Sequence, residues 1–98
     1  MTIPERPSHA SFPLGQIVAT PGCLRALERA GEQAGDFLRR HQRHDWGIVC
    51  AEDRRANDSA LTEGTRLLSA YRLSNSVKIW IITEGDRSVT TLLLPDEY

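Results

Sequence analysis

The last third of the chain, residues 66–98, holds three apolar runs separated by two short turn sequences. Residues 66–73 alternate with the period of two that is typical of a half-buried strand. Ser74-Asn75-Ser76 and Gly85-Asp86-Arg87 are turn sequences, and Pro95 ends the third run. The pattern predicts a three-stranded antiparallel meander with strands near 66–73, 77–83 and 88–94.

The segment before the meander carries one strand signal and three helix signals. A short apolar run at 14–19 predicts a leading strand, and Thr20 before Pro21 is a typical helix start. Apolar residues at steps of three and four predict helices near 21–30 and 33–44, and a weaker pattern predicts a third near 51–61. We therefore expect an α+β fold: a short N-terminal strand, about three helices, then the three-stranded antiparallel β-meander.

Length and charge restrict the domain organisation and the partners. A chain of 98 residues has room for one domain. Residues 1–13 contain three of the five prolines, so we expect a flexible tail followed by a single α+β domain at 14–98. The net charge of -1 gives no overall field toward nucleic acid or anionic lipid.

Motifs for metal, cofactor and nucleotide chemistry are missing from the sequence. Cys23 and Cys50 form no CxxC pair, and His41 and His44 have no further well-spaced ligands, so we expect neither a metal nor a cofactor. Phosphate-binding and serine-hydrolase signatures do not occur. With no signal-peptide pattern and no long apolar stretch, we expect a cytoplasmic protein that does not enter a membrane.

One basic concentration is present, at Arg39, Arg40 and Arg43, with Trp46 at its end. Basic side chains beside an aromatic ring are typical of single-strand binding sites. Arginines in a last helical turn also complement the helix dipole. Contact with nucleic acid therefore stays open as a weaker alternative to a solvated helix end.

The middle run of the meander is apolar on both sides, with Ile79 and Ile81 on one and Trp80 and Ile82 on the other. A strand of this kind should be covered on both faces. The helices can cover one face, and the other requires the leading strand and tail, a second copy, or a partner. We expect a binding surface around Trp80, bordered by polar and aromatic residues: Asp45, Trp46, Arg66, Tyr71, Arg72, Asp86 and Arg87.

The leading functional interpretation is a non-catalytic interaction module, monomeric or homodimeric, that binds a protein partner. The alternative is a metal-independent ribonuclease that would use Glu84 as base, with Arg72 and Arg87 on the same meander. General acid–base catalysis commonly uses a histidine, and none follows His44. Catalysis is therefore the weaker interpretation.

Several segments carry a resemblance, among them residues 14–22, Asp45-Trp46-Gly47, Asn57-Asp58, residues 68–71 and residues 78–98. In these the chain resembles a family of small proteins of roughly ninety residues from bacterial genomes, plasmids and phages, usually labelled hypothetical or plasmid-related. The resemblance implies accessory gene content and a role in plasmid or phage upkeep or in countering host defence. The meander also looks like the sheet of small ribonuclease toxins, without their histidine.

Overall fold

The computed structural model describes residues 12–98. The predicted tail lies almost wholly outside this range, but Phe12, which the tail prediction included, is buried against Trp46. The strands are β1 (Gln16–Ala19), β2 (Leu67–Arg72), β3 (Lys78–Thr83) and β4 (Val89–Leu93). The helices are α1 (Pro21–Ala30), α2 (Ala34–Gln42) and α3 (Ala51–Glu63), followed at the end by a 3-10 turn at Pro95–Glu97.

One mixed sheet of four strands has the order β1-β4-β3-β2. The meander β2-β3-β4 is antiparallel, which confirms the predicted architecture. β1 adds to it in parallel beside β4, with Val18 opposite Thr91. The leading strand therefore extends the sheet by one strand and does not cover either face of it.

Local sequence explains where the helices begin and end. The Thr20 hydroxyl accepts a hydrogen bond from the backbone N–H of Cys23, and Pro21 takes the first position of α1, as predicted. α2 ends at Gln42, two residues before the predicted end, because His44 adopts a left-handed conformation. α3 extends to Glu63, two residues beyond the predicted end.

The two faces of the sheet differ in what packs on them. The helix-covered face carries Leu67, Ser69, Tyr71, Ile79, Ile81, Thr83, Thr90 and Leu92. Its apolar members other than Leu67 form the main core with α1 and α2 through side chains that include Leu27 and Phe37. Leu67 belongs to a second cluster with Trp46. The open face carries Val18, Leu68, Ala70, Arg72, Lys78, Trp80, Ile82, Thr91 and Leu93. This layering follows from strand alternation, since register partners point to the same side.

α3 lies along the outer edge of β2, and its Ala60 packs in one cluster with Leu67 and Trp46. The Asn57 side chain hydrogen-bonds both backbone groups of Leu68. Next to it, Ala70 pairs with the segment at Trp46–Ile48 through its N–H and its carbonyl. The helical pattern predicted Ala56 as an inward residue of α3, but Ala56 is exposed and Asn57 is buried. The edge of a sheet offers backbone groups, so the helix presents a polar side chain to it.

Candidate functional site

Trp80 lies in the middle of the open face and is only partly buried. Its register neighbours Ala70 and Leu93 are buried, and so is Ile82 at 4% exposure. The exposed apolar area of this face is therefore smaller than the sequence predicted. In the middle of the face, solvent still reaches part of the indole.

Tyr98 packs over this part of the open face. Its ring makes an edge contact with Trp80 at 5.8 Å between centroids, while the Arg66 guanidinium lies 5.5 Å from its centre and bonds its hydroxyl. Tyr98 nevertheless remains 69% exposed. Trp80, Tyr98 and Arg66 therefore present a connected aromatic and cationic surface, the combination that dominates measured interface energies.

A groove of about 210 Å³ runs beside the indole. Leu68, Ala70 and Trp80 form one wall, and the start of α3 with Ile48, Val49 and Cys50 forms the other. Lys78 and Asp53 place opposite charges on its rim, and Ile48 is 50% exposed. The groove is wide enough for one inserted side chain, and its lining is polar and apolar in about equal parts.

Two of the predicted surface residues, Trp46 and Tyr71, have buried side chains. Trp46 is 1% exposed and packs against Phe12 and His41, with its ring N–H directed to Asp58. Tyr71 lies on the helix-covered face, and its hydroxyl donates to the backbone carbonyl of Asp45 at 2.6 Å. Burial raises the pKa of the Tyr71 phenol to about 12. Neither side chain is placed to touch a partner or to serve as a catalytic acid.

The structure places Asp45, Asp86 and Arg87 in local contacts away from Trp80. The Asp45 carboxylate accepts from the side chain of Arg40 at 2.7 Å, and this hydrogen bond lowers its pKa. Asp86 accepts from the backbone and side chain of Ser88 within its turn, which lowers its pKa also. Arg87 donates to the backbone carbonyls of Ala60, Thr65 and Glu84. These contacts stabilise turns and helix ends.

The residues proposed for ribonuclease chemistry are not gathered in one place. Arg72 pairs in register with Lys78 at the start of β3, whereas Glu84 follows Thr83 at the other end. Six residues of strand separate those ends by about 17 Å. The guanidinium of Arg87 already donates hydrogen bonds to backbone carbonyl oxygens. Among these three described residues, therefore, the proposed base Glu84 does not share a cleft with both arginines.

The basic concentration on α2 is partly neutralised. Arg39 pairs with Asp36, and Arg40 pairs with Asp45 while its guanidinium lies 4.5 Å from the centre of the Tyr71 ring. Arg43 is exposed beyond the end of the helix. Since Trp46 is buried, the aromatic ring that would stack on a base is not available beside these arginines.

Ionisable groups in the interior are held in their neutral forms. Burial lowers the pKa of His41 to about 4, with further contributions from Arg87 and His44, and raises that of the Cys23 thiol to about 11. Within residues 12–98, no group of three His, Cys, Asp or Glu side chains is arranged to hold a metal ion. The described part of the chain gives these interior groups structural roles.

The sequence analysis named Trp80 and Arg66, which the structure joins through Tyr98, and it did not name Tyr98, Ile48 or the groove. Pro95 predicts the end of the last strand, but it does not predict that the 3-10 turn after it brings Tyr98 back over the sheet. Ile48 follows a turn sequence and belongs to no periodic run. A signal that could have found it is the lone isoleucine between Gly47 and Cys50, placed where neither helix nor strand would bury it.

No family model, curated protein or solved structure matches the chain. In the described residues, no helix has the length and apolar character needed to cross a membrane. The resemblance to small plasmid and phage proteins therefore stays a prediction, and the function must be argued from the surface.

Proposed function

We propose that the protein is a small non-catalytic interaction module that binds a protein partner through the open face around Trp80. The observation that carries this proposal is the contact of the half-buried Trp80 with the exposed Tyr98, which also packs on the exposed Arg66, beside a groove with a mixed polar and apolar lining. Tryptophan, tyrosine and arginine are the residue types enriched among interface hot spots.

The rim of the open face indicates the charge of the partner. Arg66, Arg72 and Lys78 are exposed, and strand register places Arg72 and Lys78 on the same side as Trp80. A partner surface with acidic side chains around an apolar centre would complement this arrangement. One apolar side chain of the partner would fill the groove between Ile48 and Trp80.

A comparison of matched variants tests the proposal. Immobilised wild-type protein should retain a partner from host lysate that Trp80→Ala and Ile48→Asp fail to retain, while Glu28→Lys on α1 retains it. Glu28 is exposed on α1, which packs on the other face of the sheet, and only its backbone carbonyl, through the Gly31 N–H, makes a described hydrogen bond. With the purified partner, Trp80→Ala should weaken the dissociation constant by about 30-fold or more.

Two results would contradict the proposal. One is that no retained protein distinguishes the open-face variants from Glu28→Lys, although all four proteins unfold at comparable denaturant concentrations. The other is that purified wild-type protein fragments total RNA in the presence of chelator, which would support the ribonuclease alternative. Intact RNA together with partner loss in both open-face variants is the expected outcome.

A further inference from the structure

Large exposed apolar side chains in the described residues form two separate groups. Ile48 and Tyr98 belong to the open face near Trp80. Ile17, Val18 and Leu24 lie elsewhere, on β1 and in the first turn of α1, and are 49%, 38% and 52% exposed. The second group borders the outer edge of the sheet and is not explained by the proposed function.

Backbone groups on the outer side of β1 are free to pair. The N–H of Gln16 donates to Ser88 and that of Thr20 to Leu92, both toward β4. Because these directions alternate along a parallel strand, the N–H and carbonyl groups of Ile17 and Ala19 point away from β4. Among residues 12–98, no strand pairs with this side, since β1 is the last strand in the sheet order.

The opposite edge of the same sheet is closed. The Asn57 side chain and the segment at Trp46–Ile48 satisfy the outward groups of Leu68 and Ala70 on β2. Natural proteins protect free edges by such cover, or by charged residues, prolines and bulges. β1 has none of these devices within it, and no charged residue occurs anywhere between Phe12 and Leu24.

We propose that β1 pairs antiparallel with β1 of a second copy of this chain, about a twofold axis at Val18. In this register Ile17 of one copy faces Ala19 of the other, and both pairs exchange two backbone hydrogen bonds. The two Val18 side chains meet on the open-face side at a separation of about 4.5 Å between Cα atoms. The two four-stranded sheets then form one continuous sheet.

Charge and symmetry favour a second copy over an unrelated strand. β1 itself carries no charged side chain, so pairing at Val18 brings no like charges of the strand together at the twofold axis. The Glu97 carboxylate, which accepts from the Thr20 hydroxyl, lies beyond the end of the strand. The exposed Val18 side chain also meets its own counterpart across the axis. Four residues of strand form a small interface, so we expect a dimer dissociation constant of about 10–100 µM.

This inference is independent of the proposed function because pairing at β1 leaves Trp80, Tyr98 and Arg66 accessible. Sedimentation velocity of the wild-type chain between roughly 1 µM and 500 µM should show a concentration-dependent shift from monomer to dimer. Val18→Lys places two like charges at the axis and should give monomer throughout. Ile17→Pro should do the same, since the N–H that it removes points away from β4.

Ile48→Lys is the matched control, because it introduces the same charge at a similarly exposed apolar residue on the other surface. It should leave the dimer intact. In the wild-type chain, amide exchange of Ile17 and Ala19 should slow as concentration rises, a readout that needs no variant. A wild-type monomer over the whole range, or a dimer that survives Val18→Lys, would overturn the proposal.

Discussion

The side-chain amide of Asn57 pairs with the backbone of Leu68 as a neighbouring strand would. Its nitrogen donates to the Leu68 carbonyl at 2.7 Å, and its oxygen accepts from the Leu68 N–H at 3.0 Å. The residue is only 3% exposed. One helical side chain thus closes the edge of β2 where backbone pairing with Trp46–Ile48 stops.

Replacing Asn57 by leucine should destabilise the protein by about 2–3 kcal/mol, because both Leu68 groups lose their partner while remaining partly buried. Denaturant unfolding followed by circular dichroism measures the change. Ser59→Ala on the exposed side of α3 is the control and should change stability by less than about 0.5 kcal/mol. Equal stability of the two variants would show that α3 is held by other contacts.

Gly47 lies in the same edge segment and permits no side chain. Its φ is 80°, and an added Cβ would stand 1.9 Å from the carbonyl oxygen of Ala70. Gly64 has a similar φ of 74° with nothing within 4 Å, which makes it a matched control. Gly64→Ala should cost about 1 kcal/mol from backbone conformation alone. Gly47→Ala should cost about 3 kcal/mol or more, because the segment must leave β2.

The same denaturant titration tests the pair of glycine variants. A loss in Gly47→Ala no larger than that in Gly64→Ala would mean that the Trp46–Ile48 segment moves away from β2 at little cost. Amide exchange at Ile48 gives a local check, since its N–H donates to Ala70 at 2.8 Å. Protection of this amide should be lost in Gly47→Ala and kept in Gly64→Ala.

The fold was predictable because its signals are local and agree with one another. Alternation along the meander, turn residues between its strands and the cap at Thr20 each act over a few residues. The structure places all of these elements within about two residues of the predicted bounds, as expected for boundary errors in such assignments. The parallel pairing of β1 with β4 was not predicted, because the sequence of a four-residue strand does not specify which strand it pairs with.

The proposed binding surface was only partly predictable, because contacts between distant segments decide exposure. Trp46 and Tyr71 are residue types that favour interfaces, yet the first fills a cluster with Phe12 and the second packs on Phe37. Tyr98 became part of the surface only because the chain folds back over Trp80. Residue type indicates what can bind, and long-range packing determines which side chains remain available.

Arg87 joins the last turn of the meander to the end of α3. Its guanidinium donates to the carbonyl of Ala60 at 3.0 Å and to those of Thr65 and Glu84, while its own φ is 61°. The Ala60 carbonyl also accepts from the Gly64 N–H at 2.8 Å, so the guanidinium adds a second hydrogen bond there and complements the helix dipole.

Arg87→Ala should destabilise the protein by about 2 kcal/mol, since hydrogen bonds from a charged donor are lost and the left-handed backbone strain is kept. Arg87→Gly should be less destabilising than Arg87→Ala by about 1 kcal/mol, because glycine relieves the strain. Arg55→Ala, an exposed position on α3, is the control and should be nearly neutral. Chemical unfolding ranks the three variants, and a harmless Arg87→Ala would contradict the capping role.

His41 is fully buried in a chain of hydrogen bonds that connects α2 to β2, β3 and β4. Thr90 donates to the carbonyl of Leu14 at 2.7 Å, so Thr83 must donate to Thr90 across their 2.8 Å contact. The hydroxyl of Thr83 can then only accept from His41, at 2.9 Å from Nε2. Nε2 therefore carries the proton, and Nδ1 accepts from the Ser69 hydroxyl at 2.5 Å. An imidazole with a proton on Nε2 alone is neutral.

As the pH falls, protonation of His41 should lower the free energy of unfolding before the carboxylates are protonated. Burial, with Arg87 and His44 nearby, lowers the pKa of His41 from 6.5 to about 4. Between pH 6.5 and about 4, the unfolded chain therefore binds a proton at His41 and the folded chain does not. The stabilisation is complete above pH 6.5 and is lost as the pH falls toward 4, by about 3 kcal/mol in total.

Unfolding free energies measured at intervals from pH 7.5 to 3 test this expectation. His41→Gln should be less stable at neutral pH, and its stability should change little between pH 6.5 and 4 because the titrating group is gone. Asp86→Asn is the control: the pKa of Asp86 is lowered from 3.8 by Ser88, so its stabilisation is lost only at lower pH. A wild-type slope between pH 6.5 and 4 that persists in His41→Gln would assign the effect to another group.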